Sequence, residues 1–63
     1  MNIYKINIDG SSVAVSSESK LTDEEVIQKA LDNEIIDTAF ANVEDITDDE
    51  DEKAAFADVT YPV

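Results

Sequence analysis

Thirteen carboxylates fall within residues 23–52, and Lys29 is the one ammonium among them. That segment therefore carries −12, the net charge of the whole 63-residue chain. The flanks balance: Asp9 and Glu18 against Lys5 and Lys20, and Asp58 against Lys53. Clustered carboxylates can do three kinds of chemistry. They can act as an acid–base pair, ligate a hard cation, or present an anionic surface to a basic partner.

The first use fits poorly. The chain has no His, Cys, Arg or Trp. Acid–base work near neutral pH would need a strongly perturbed carboxylate, Lys or Tyr, and acids clustered in water are not perturbed that way. Nucleophiles lack their usual base. The single glycine excludes a Gly-rich phosphate loop. The expectation is a protein that is not an enzyme and uses no cofactor. For the second use, Asp45-Ile46-Thr47-Asp48-Asp49-Glu50 departs from the EF-hand loop, which needs a central Gly and Glu at the twelfth position. No dedicated metal site is expected, and a divalent-cation module stands only as an alternative.

The third use fits best. Residues 44–52, EDITDDEDE, hold seven carboxylates in nine positions. In a helix they would fall about 2 Å apart along the axis. Extended, they would fall roughly 4 Å apart. Duplex DNA carries one charge per about 1.7 Å of axis, or about 3.4 Å per strand, so the two spacings are each close to one of these values. The expected interface comprises Glu44, Asp45, Asp48, Asp49, Glu50, Asp51 and Glu52. Asp23, Glu24, Asp32, Glu34 and Asp37 are expected to extend its face. Plain solvation of a charge run is the competing reading. The asymmetry weighs against it, because a small domain gains nothing in fold from such a field.

These acids need elements to hold them. Residues 2–9 alternate, with Tyr4, Ile6 and Ile8 on one face, and read as a strand. Asp9-Gly10 is a hairpin turn, and Val13 and Val15 mark a second strand. Thr22-Asp23-Glu24-Glu25 is a capping box, with Leu21 and Val26 placed as a hydrophobic staple. Val26, Ile27, Ala30, Leu31 and Ile35 form one helical stripe, and Glu25 and Lys29 a favourable i,i+4 pair. The helix ends at Asn33 in a left-handed cap or runs on through Ile36 and Phe40.

The acidic run is read as the start of a second helix, capped by Thr47 with Glu50 at its third position and closing through Ala57; a solvated loop is the other option. Val59, Tyr61 and Val63 then alternate in a final strand, with Pro62 suited to an edge. Ala39-Phe40-Ala41-Asn42-Val43 and Ala55-Phe56-Ala57-Asp58-Val59 form a near-repeat sixteen residues apart. It would mark two equivalent packing units unless it arose by chance. Tyr4, Tyr61, Phe40 and Phe56 are expected in the core of so short a chain.

The expected fold is α+β in one domain, 1–63. It is a three-stranded antiparallel sheet with helix on one face, ordered ββααβ. The alternative is ββαββ, with residues 39–46 and 54–61 as a second hairpin. The absence of cysteine fits a reducing cytoplasm. Neither a signal peptide nor a membrane span is expected. Anionic lipid and nucleic acid would repel this surface.

In overall character the chain resembles small acidic phage-encoded inhibitors of bacterial defence, the anti-CRISPR and DNA-mimic anti-restriction proteins. The resemblance covers size, charge and lack of cysteine, and transfers no single residue. It implies a non-catalytic inhibitor, monomeric or a small homo-oligomer. The inhibitor would fill the basic DNA-binding groove of a host protein in the host cytoplasm. An antitoxin or immunity protein capping a basic toxin would share these electrostatics.

Overall fold

Alternating apolar residues and the Asp9-Gly10 turn produce the expected hairpin. In the computed structural model, which describes residues 1–63, β1 (Asn2–Ile8) pairs antiparallel with β2 (Ser11–Ser17). Gly10 takes φ 78°, the positive value the turn requires. Tyr4, Ile6 and Val15 are buried on one face of this pair with Val26 and Ala30 of helix α1 (Asp23–Asp32). Each fully buried aliphatic side chain here contributes about 1.5–3 kcal/mol. The Tyr4 hydroxyl stays satisfied by accepting from the Leu21 N–H at 2.8 Å.

Helix α1 begins as its sequence dictates. Thr22 Oγ1 accepts from Glu25 N, and the Glu25 carboxylate accepts from Thr22 N. Glu25 is therefore engaged at the cap, and the expected Glu25–Lys29 ion pair does not form; only Lys5 and Lys53 make ion pairs. The helix stops at Asp32. Ile35 N donates to Ala30 O and Glu34 N to Leu31 O, the paired bonds of a Schellman ending. The left-handed residue is Glu34, at φ 59°, and not Asn33, at φ −94°.

The fold is α+β, with four strands where three were expected. The elements run ββαβαβ, and the sheet order is β3-β1-β2-β4. The added strand is β3 (Asn42–Asp45), antiparallel to β1. One apolar residue, Val43, is all the signal it carries. Strand β4 (Thr60–Pro62) pairs parallel with β2 at the opposite edge, where Pro62 is tolerated. Segments 42–45 and 60–62 thus lie at the two edges, so no second hairpin forms.

Helix α2 (Glu50–Ala55) starts later than expected. Asp49 is its N-cap, accepting from Glu52 N at 3.1 Å. Thr47 is drawn away from capping because its Oγ1 accepts from Ile3 N at 3.0 Å, fastening the segment to β1. The helix closes at Ala55 with Phe56 as its C-cap. The near-repeat is not two equivalent units: Phe40 lies in a loop before β3, and Phe56 ends a helix.

Candidate anionic interface

Side chains alternate across β1, so Tyr4 and Ile6 face α1 while Lys5 faces the other way. Lys5 Nζ lies 3.0 Å from Glu52 Oε2 and 5.9 Å from the centre of the Phe56 ring. Helix α2 therefore covers the face opposite α1, and Ala14 and Ser16 beneath it are buried. Both faces of the sheet are covered, where one was expected.

This topology divides the twelve candidate carboxylates. Asp23, Glu24 and Asp32 ride on α1, and Glu34 follows directly at its C-terminal turn. Asp48, Asp49, Glu50, Asp51 and Glu52 lie at or within α2, across the sheet. The first helix does not extend the face of the acidic run, contrary to expectation. Glu44 sits opposite Lys5 in the register and joins the α2 side; Asp45 sits opposite Tyr4 at the β3 edge. Asp37 lies in the loop before β3. Eleven of the twelve are exposed, and Glu52 is half-buried.

The run is also neither a single helix nor a single extended strand. Its first two acids are in a strand and its last three in a helix. Several of its carboxylates have structural duties. Asp45 accepts from the Thr47 hydroxyl and, at 2.9 Å, from the Thr47 N–H. Those two bonds hold its pKa below the ordinary 3.8, with Lys20 adding a smaller pull and burial a smaller push upward. Asp49 caps α2, Glu50 pairs with Lys53 at 3.3 Å, and Glu52 holds Lys5. The hydrogen bond to Glu52 raises the Lys5 pKa above 10.5. Desolvation opposes it, and the charges of Glu52, Glu44 and Asp49 reinforce it. Asp48 and Asp51 have no bonded partner and are free to meet another molecule.

Sixteen carboxylates face four lysines, and two ion pairs form. The surface is thus anionic on both broad sides of a body 17 Å thick. No group of His, Cys, Asp or Glu is arranged to hold a metal ion. No helix is long and apolar enough to cross a membrane. The aromatic expectation holds for Tyr4 alone: Phe40 is 92% and Tyr61 48% exposed. Phe40 sits between Ala39 and Ala41, with no period-two alternation of large apolar side chains around it to mark a strand. No family model matches the chain, and no curated protein or solved structure matches it.

Proposed function

We propose that this chain is a non-catalytic inhibitor that occupies the basic nucleic-acid-binding groove of a host defence protein, in the manner of anti-CRISPR or anti-restriction proteins. The observation that carries the reading is the placement of unneutralised acids on both faces of one thin sheet. A groove lined with Lys and Arg on two walls is the surface such a slab fits, as it fits the two phosphate strands of a duplex. Carboxylates on each face would take charge-assisted hydrogen bonds from arginine. The field would steer the encounter and weaken with salt, since the Debye length falls from about 10 Å at 0.1 M to about 3 Å at 1 M. Such a partner places the protein in the cytoplasm of the host cell.

The test is capture from bacterial lysate on immobilised protein, followed by elution with duplex DNA. The expected result is a nucleic-acid-binding protein that duplex DNA displaces. Reversal on the α2 side uses Asp48→Lys with Asp51→Lys, which spares the cap Asp49 and the Lys5 partner Glu52. Reversal on the α1 side uses Asp23→Lys with Glu24→Lys. Each pair should lower the association rate by about tenfold or more at low salt. Captured proteins that duplex DNA cannot displace, or indifference to both reversals, would overturn the reading.

A further inference from the structure

Phe40 is the most exposed large apolar side chain in the molecule, at 92%. The backbone that carries it is held in place. Phe40 N donates to Thr38 Oγ1 at 3.1 Å, and Ala41 N donates to Ala39 O at 3.0 Å, so the loop is fastened by its own bonds. Phe40 lines a shallow cleft with Asn7, Ile8, Asp9, Ala41 and Asn42. Asp9 and Phe40, both exposed, thus border one depression. Asn7 and Asn42 are register partners on β1 and β3 and border it with amides.

The molecule contains the same combination elsewhere, already filled. Lys5 is held between the Glu52 carboxylate, at 3.0 Å, and the Phe56 ring, at 5.9 Å. Phe56 is the near-repeat counterpart of Phe40. At Phe56 the cation is internal; at Phe40 neither ion pair nor cation–aromatic contact supplies one. A second copy of the chain is a poor occupant, since it would bring −12 against −12.

We propose that Asp9 and Phe40 form a receptor for an arginine side chain of the basic partner, the guanidinium lying on the Phe40 ring and donating to the Asp9 carboxylate. Arginine suits the cleft better than lysine. Its planar, weakly hydrated head stacks on an aromatic ring while its fork meets a carboxylate, which a compact ammonium cannot do. The proposal rests on the reading of a basic protein partner and adds to it an apolar anchor at the hairpin end of the sheet.

The test uses the full chain, labelled with ¹⁵N, titrated with hexa-arginine and separately with hexalysine. With hexa-arginine, the amides of Asp9, Ala41 and Asn42 should shift, and arginine Hδ protons should give NOEs to the Phe40 ring. Phe40→Ala, at a site with nothing packed on it, should keep the fold and reduce the Asp9 and Asn42 shifts about two- to fivefold. Asp9→Asn should reduce them as well. Shifts confined to α1 and α2 would overturn the receptor and leave the inhibitor reading standing. An equal response to hexalysine would overturn the choice of arginine. Absence of any shift at low salt would overturn both the receptor and the reading beneath it.

Discussion

Helices α1 and α2 both open with three consecutive acids behind an oxygen-bearing cap, Thr22 and Asp49. They differ in what lies underneath. Helix α1 is ten residues long and buries Val26 and Ala30 against Tyr4, Ile6 and Val15. Helix α2 is six residues long and buries none of its own residues. Its hold on the sheet is the Lys5–Glu52 pair, the Phe56 ring over Lys5, and Thr47 on the β1 backbone. Similar first turns therefore present charge from a rigid mount on one face and from an adaptable one on the other. Segments with few buried apolar contacts open locally at low cost. Under the proposed function, the α1 array would meet its partner preformed, and the α2 array would adjust to it.

The sharpest break in this comparison comes from the α1 core. Val26→Ala should lower global stability by about 2 kcal/mol. For 63 residues the whole stability is roughly 3–9 kcal/mol, so the urea midpoint should fall steeply. No single truncation within α2 should do this, because none of its side chains is fully buried. A comparable fall in midpoint from truncating Ala54 or Ala55 would erase the distinction.

The caps sharpen it further, since the same kind of substitution can be made on both helices. Thr22→Ala removes the capping box and should cost about 1 kcal/mol of global stability. Asp49→Ala removes an equivalent bond, but the loss should stay local. Amide exchange at Glu52 and Lys53 should quicken while the urea midpoint barely moves. If Asp49→Ala lowers the midpoint as much as Thr22→Ala, α2 belongs to the cooperative core.

What the sequence made legible follows the same division. The hairpin and α1 were readable because their signals are local: period-two alternation, Asp-Gly, and a capping box followed by a 3.6-residue stripe. Strand β3 was legible only in the alternative that placed residues 39–46 in a second hairpin, and its true partner was not, because Asn42-Val43-Glu44-Asp45 pairs with residues some forty positions earlier and offers one apolar side chain. Without β3 there was no reason to place Thr47 against Ile3, so the α2 cap was assigned to the wrong residue. The division of the acids followed from the same gap, since the face that α2 covers depends on where β3 leaves the chain. The acids themselves were legible as exposed. Their arrangement as two surfaces was not.

Glu34 tests whether charge on the α1 side is kept at a cost. It occupies the left-handed position where helices ordinarily place glycine, at φ 59°. Glu34→Gly should relieve that strain and raise stability by about 0.5–1 kcal/mol. It should also weaken partner binding, by removing a carboxylate from the exposed rim of α1. A stabilised variant with unchanged binding would show that Glu34 is not part of the interface.

The smallest effect concerns pH, and it separates the two attachments by sign. Asp45 has a folded pKa below 3.8 because Thr47 donates to it twice. A lowered pKa gives stabilisation that is complete above the ordinary value and is lost as pH falls through the folded one. Lys5 has a folded pKa above 10.5, chiefly through its bond to Glu52. Its stabilisation is complete below 10.5 and is lost as pH rises through the raised value. Acid should therefore loosen the Asp45–Thr47 clasp at the β3 edge, and alkali the seat of α2. The Thr47 amide shift should titrate with a midpoint below 3.8 and lose that transition in Asp45→Asn. A midpoint at or above 3.8 would mean that Thr47 does not favour the ionised carboxylate. The fastening of residues 45–47 to β1 would then owe nothing to charge.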